Sequence, residues 1–179
     1  ADIVLFADED IIYVDGYKDI IEKEFAKNCD ADMIIFNVKN EDNRKRYEIK
    51  STKRVHKYNC LRYGAVRIAV KLDSIKKKNI YFNLLFGGGT KYGSGEDSIF
   101  IYDCISSGMK VYTSPKTILT IPKSQSTWFK GYDEKYFFDD VNLQFLCIIE
   151  IIYKSHTKKG ITIIWQFIIQ NHVRLKNLL

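Results

Sequence analysis

Gly87-Gly88-Gly89-Thr90-Lys91-Tyr92-Gly93-Ser94-Gly95-Glu96-Asp97-Ser98-Ile99-Phe100 runs a glycine-rich loop into an acidic pair. From Glu96 to Ile105 the apolar residues recur at helical spacing, and Gly108 stands where such a helix would end. Five glycines in nine residues carry a large cost in chain entropy. Close approach of the backbone to a ligand would justify that cost, and a helix N-terminus holds a carboxylate ionised. The combination suits a general base facing a bound substrate. An acidic first turn that only complements the helix dipole is the competing reading, and such turns are common.

Upstream, Ile3-Val4-Leu5-Phe6 is a continuous apolar run that predicts a buried strand, and Ala7-Asp8-Glu9-Asp10 follows it directly. Three adjacent acids repel one another, and a cation would relieve the repulsion. Asp8 and Asp10 offer hard oxygen donors suited to Mg²⁺ or Mn²⁺. A solvated acidic turn competes with this reading. The position at the carboxyl end of a strand tilts it toward metal, because ligands bind there in open α/β sheets.

Asp15 is expected to cap a helix of about thirteen residues marked by Tyr17, Ile20, Ile21 and Phe25. Met33 to Val38 predicts a second buried strand, and the strand-helix-strand order makes a parallel pairing plausible. Glu41 to Lys53 is a polar excursion in which Arg46 to Lys50 suggests an edge strand. Gly64 to Lys71 alternates as a strand, with Arg67 on the face opposite Val66 and Ile68. Asp73 would cap a short helix. Lys110-Val111-Tyr112 would form another strand, turned by Ser114-Pro115 into Thr117 to Thr120. The last forty residues read as a helical hairpin, roughly Asp140 to Tyr153 and Gly160 to His172. The second helix is apolar nearly all round and must be covered by this domain, a partner or a bilayer surface.

The 179 residues suffice for one sizeable core, and 46% hydrophobic content excludes disorder. A net charge of +6 is compatible with anionic phosphosugars, an anionic membrane surface or nucleic acid. The basic residues are scattered, without a basic-aromatic stripe, so nucleic acid is set aside. Cys29, Cys60, Cys104 and Cys147 form no Cys-x-x-Cys and point to free thiols in a reducing compartment. His56, His156 and His172 are isolated, and zinc is not expected. Neither a signal peptide nor a membrane-spanning run is apparent.

Taken in order, the apolar strand, Asp-x-Asp, helix, strand, glycine-rich loop, Glu-Asp helix and strand resemble family 2 glycosyltransferases of the nucleotide-diphospho-sugar (GT-A) type. Bacterial surface-polysaccharide members are the most similar. Phe6-Ala7-Asp8-Glu9-Asp10 looks like their metal and donor-diphosphate motif, and Gly95-Glu96-Asp97 with Ile99-Phe100 looks like their Glu-Asp motif. The resemblance covers about residues 2 to 139. It implies a mixed, mainly parallel α/β core at 1–139, truncated at its N-terminus, with a C-terminal helical extension at 140–179.

The same resemblance implies inverting transfer of a sugar from a nucleotide-diphospho-sugar to a saccharide or lipid-linked saccharide acceptor. Asp97 would be the catalytic base, and Asp8 and Asp10 would hold Mn²⁺ or Mg²⁺. Glu96, Gly87, Gly88, Gly89 and Trp128 would contact substrate. The expected location is cytoplasmic, with peripheral contact at the inner membrane face left open. Two departures stand out. The nucleotide-binding half that usually precedes Asp-x-Asp is absent, so the chain alone is expected to be inactive. Ile121 stands before Pro122 where many relatives carry a histidine that joins the metal. A non-catalytic carbohydrate- or protein-interaction module with a transferase-derived fold is the alternative.

Overall fold

Met33-Ile34-Ile35-Phe36 is buried at every position, as a strand covered on both faces must be. In the computed structural model, which describes residues 2–41, 47–90 and 92–123, this run sits in the middle of a five-stranded sheet. The strands are β1 (Ile3–Leu5), β2 (Ile12–Tyr13), β3 (Met33–Asn40), β4 (Ile68–Lys71) and β5 (Val111–Ile121), in the order β1-β4-β3-β5-β2. Three helices accompany them: α1 (Tyr17–Lys27), α2 (Leu72–Lys78) and α3 (Glu96–Ser106). Trp128 and the helical hairpin expected at 140–179 lie outside the described residues.

The α/β class and the mixed sheet are as expected. The balance of strand directions is not, because only β3 and β5 pair in parallel, while β1–β4, β3–β4 and β2–β5 are antiparallel. β1 and β3 do point the same way, but β4 lies between them. Local periodicity marks a strand without naming its neighbour, and β4 reaches this slot only after the long excursion that follows β3.

Two clusters of chain can be described separately. The first spans residues to Asn83 and resumes at Glu96; the second, within the described residues, is Leu84–Gly95. In the first, Ile21 and Phe25 of α1 pack with Ile34, Phe36, Ala69, Ile118 and Leu119. Met33, Ile35, Ile68 and Val70 alternate with these on the central strands and are fully buried too, so both sheet faces are covered.

α1 is capped by Gly16 at φ 69° with no side-chain cap, so the expected capping by Asp15 is not what ends the helix. Lys71 rather than Asp73 is the cap of α2. α3 ends as expected at Gly108, φ 89°: the Met109 N–H donates to Cys104 O at 3.0 Å and the Gly108 N–H to Ile105 O at 3.1 Å.

Ser114-Pro115 does not turn the chain. β5 runs through it as one strand, with register shifts opposite Ile35 to Val38. Proline cannot donate to a ladder and is tolerated where pairing is irregular. The buried Asn37 side chain repairs the gap by donating to Pro115 O at 3.1 Å and Ile49 O at 2.8 Å. Its Oδ1 accepts the Ile49 N–H at 2.9 Å. The segment expected as an edge strand at 46–50 is therefore held by one side chain. Sheet-like pairing comes from Lys53 to Val55 instead, beside Val111 to Thr113.

Glu24 of α1 is nearly closed off from solvent. It accepts hydrogen bonds from Ser114 Oγ at 2.8 Å and Lys27 Nζ at 2.9 Å. Burial by itself would raise this carboxyl, but the Lys27 and Ser114 bonds outweigh it and hold the group below the ordinary glutamate range. Stability from this carboxylate is therefore present above the ordinary range and is lost as pH falls through the lowered value. Glu24→Ala is expected to cost about 1–3 kcal/mol in urea denaturation at neutral pH, and less in acid. Among the described residues no helix is long and apolar enough to cross a membrane.

Candidate active site

β1 delivers Phe6 and then Asp8, Glu9 and Asp10, all three acids exposed. α3 delivers Glu96 and Asp97 in its first turn, with Phe100 one turn later. Three aromatic rings join these two ends. Phe6 meets Phe100 edge-on at 5.3 Å between ring centroids, Phe82 stacks on Phe100 at 4.5 Å, and Phe6 meets Phe82 edge-on at 5.1 Å. Each contact is worth about 0.5–1.5 kcal/mol beyond the area it buries. The trio ties the two acidic motifs, nearly ninety positions apart in sequence, to a single core.

Asp97 Oδ2 accepts the Ala65 N–H at 2.9 Å, and Oδ1 accepts the Ser98 N–H at 3.3 Å. Burial pushes the Asp97 carboxyl above the ordinary aspartate range, and the negative charge of Asp8 pushes the same way. The backbone N–H groups of Ala65, Asp97 and Ser98 oppose the shift without cancelling it. Asp8 and Asp97 thus sense each other electrostatically, one from each motif. In metal-free buffer, Asp8→Asn should lower the Asp97 titration without restoring the ordinary value, because burial remains. Carboxyl ¹³C NMR reads this; a midpoint that stays put or rises would contradict it.

Other groups are poor proton acceptors. The buried Tyr63 hydroxyl is pushed up to about 12, chiefly by desolvation, and the Cys104 thiol to about 12 for the same reason. Both stay protonated at neutral pH. Asp97 is left as the carboxylate with a raised proton affinity at this end of the sheet.

The glycine loop is described by itself. The Gly87 N–H donates to Tyr92 O at 2.8 Å, the Tyr92 N–H donates to Leu85 O at 3.2 Å, and the Phe86 and Tyr92 rings stack at 4.7 Å. The Thr90 hydroxyl lies 2.9 Å from each of three carbonyls, those of Leu85, Gly87 and Tyr92. Gly87 and Gly89 have φ of 114° and 81°, which explains glycine at these two positions by backbone torsion. Gly88 and Gly89 are exposed, and a Cβ on either would meet nothing within 4 Å.

Two features escape the sequence reading. Residues Ala65–Arg67 form a 3-10 turn instead of the start of a strand, and that turn aims the Ala65 N–H at Asp97. Arg67, expected on an outer face, is buried, and its Nη1 donates to Tyr47 O at 2.9 Å. The one signal was Gly64, a glycine at the head of an apolar run.

Asp8 and Asp10 can be judged as metal donors by their chemistry. Among the described residues no three His, Cys, Asp or Glu side chains are gathered to hold a metal by themselves. Mg²⁺ is commonly held by one or two carboxylates, with substrate phosphates and waters completing the shell. Exposed paired carboxylates fit that arrangement, though not a closed protein cage.

No protein-family model matches the sequence, and no curated protein matches it significantly. Solved structures do. The crystal structure of S. aureus TarS 1–349 in complex with UDP-GlcNAc aligns at a TM-score of 0.66 and 16% identity, covering 93% of this chain and 48% of that one. A longer TarS structure aligns at 0.64 and 17% identity, covering 93% and 28%, and the complex of TarS 1–349 with UDP at 0.62 and 16%, covering 93% and 46%. TarS is a glycosyltransferase. The chain has a glycosyltransferase-like fold. It spans about half the length of the shorter TarS chain and under a third of the longer one.

Proposed function

We propose that this chain carries the catalytic end of an inverting glycosyltransferase that moves a sugar from a nucleotide-diphospho-sugar to a hydroxyl acceptor. The observation that carries the reading is Asp97: a partly buried carboxyl, raised in proton affinity, fixed by a backbone N–H and facing the charge of Asp8. The glycosyltransferase-like fold supports it, as do TarS complexes with UDP-GlcNAc and UDP, which favour a uridine-diphosphate sugar as the first donor to try.

In this mechanism Asp97 removes the acceptor hydroxyl proton as that oxygen attacks the anomeric carbon. The new glycosidic bond forms on the face opposite the bond to the diphosphate oxygen, which breaks with both electrons leaving on the nucleoside diphosphate. Asp8 and Asp10 would hold a divalent cation, Mn²⁺ or Mg²⁺, which supplies neutralising charge for the departing diphosphate. Glu96 and the backbone at Gly87 to Gly89 would contact the acceptor. Membership of family 2 and a role in bacterial surface-polysaccharide synthesis rest on the motif order, as does action at the inner face of the membrane on a lipid-linked acceptor.

Release of nucleoside diphosphate from a panel of nucleotide-sugars, with Mn²⁺ and mixed saccharide acceptors, tests the reading. Acceptor-stimulated release from one donor is expected; release from none would overturn it. With the active donor, Asp8→Asn and Asp10→Asn should each raise the Mn²⁺ needed for half-activation at least about tenfold. Unchanged Mn²⁺ response would move the cation elsewhere.

A further inference from the structure

The backbone of Gly64, φ −93° and ψ 162°, is extended and open to any residue, so torsion does not call for glycine. A Cβ at Gly64 would lie 3.5 Å from Asp97 Oδ2, and no other heavy atom of the described residues comes within 4 Å of it. The space in front of Gly64 is therefore bounded by a carboxylate oxygen and otherwise open. Oδ2 accepts one hydrogen bond from Ala65 at 2.9 Å, and a carboxylate oxygen can accept a second. An alcohol oxygen bonded to a carboxylate at about 2.7 Å carries its carbon at about 3.5 Å from that acceptor. That matches the distance of the missing Cβ.

We infer that the opening at Gly64 is the seat of the acceptor alcohol, whose hydroxyl-bearing carbon takes the place a side chain would fill. The inference rests on Asp97 as the base and names what that base faces. The proton passes from the acceptor oxygen to Asp97 Oδ2, and the electron pair it leaves behind forms the bond to the anomeric carbon. The donor's bond to its diphosphate oxygen breaks in the same step. Gly64 is a positioning residue: it touches the acceptor through the space it leaves.

Gly64→Ala is the decisive variant, because a methyl at 3.5 Å makes ordinary contact and the backbone accepts alanine, so the fold is kept. In the longest natural chain, melting should stay within about 2 °C of wild type. The added methyl displaces solvent from Oδ2, so the Asp97 carboxyl titration followed by ¹³C NMR should move upward. Acceptor-dependent turnover should fall at least about 100-fold, with donor affinity unchanged. Turnover within about threefold of wild type, or an unmoved Asp97 titration, overturns the inference. Asp97→Asn, run beside it, separates the two readings. Loss in both variants supports the seat; loss in Gly64→Ala with retention in Asp97→Asn shows that the base assignment has failed, and the seat with it.

Discussion

Asp97→Asn is expected to lower turnover by about 10²–10⁴-fold while leaving a folded and more stable protein. The two effects share one cause. Asp97 sits where burial and the charge of Asp8 make ionisation costly. Below the ordinary aspartate range it is protonated both folded and unfolded, and costs nothing. As pH rises from there through the raised folded value, the unfolded state gives up its proton first and stability declines. Above that value the penalty is constant. Asparagine carries no such penalty and can still accept the Ala65 N–H through its carbonyl. Melting temperature at neutral pH should rise in the variant, and the decline between acid and neutral pH should flatten. An acidic limb of kcat/KM, displaced above the ordinary carboxylate range, should accompany the wild type. A variant that lost activity by unfolding would show the opposite melting shift, which separates chemistry from damage.

The second large effect is expected at Phe100. It is fully buried, touches both Phe6 and Phe82, and lies one turn beyond Asp97. Phe100→Ala should cost about 3–5 kcal/mol, a large share of the roughly 5–15 kcal/mol that holds a domain together. The loss should not stop at stability. Without this ring, the end of β1 and the start of α3 lose their shared anchor, so the remaining folded molecules should also turn over more slowly. Phe25→Ala makes the comparison, since Phe25 is buried in the α1 cluster, which does not include the Phe6, Phe82 and Phe100 rings. It should lower stability by a similar amount yet leave the rate per folded molecule near wild type. Equal effects of both variants on that rate would deny the aromatic trio its role in holding the motifs together.

What could be read from the chain beforehand was local in origin. The helix from Glu96 to Gly108 declares itself by apolar spacing at one end and a left-handed glycine at the other, and both signals sit within a dozen residues. β3 declares itself by an unbroken apolar run. The order of strands does not, because nothing in Ile68 to Lys71 says that it will separate β1 from β3. Pro115 reads as a turn until the Asn37 side chain is seen bridging the irregularity from the neighbouring strand. The site divides the same way. Asp8, Asp10 and Asp97 stand out as acids in distinctive surroundings. The Gly64-Ala65 contact is a backbone matter, made by an N–H and an absent Cβ, and neither has a sequence pattern of its own.

The account's central claim is that the two acidic motifs serve a nucleotide-sugar donor and its transfer. Calorimetric titration of a nucleotide-sugar panel into the longest natural chain, with and without Mn²⁺, tests it most directly. One donor should bind in Mn²⁺, weaken at least about tenfold in Asp8→Asn and Asp10→Asn, and keep its affinity in Asp97→Asn. A panel in which no nucleotide-sugar binds in either condition would contradict the claim.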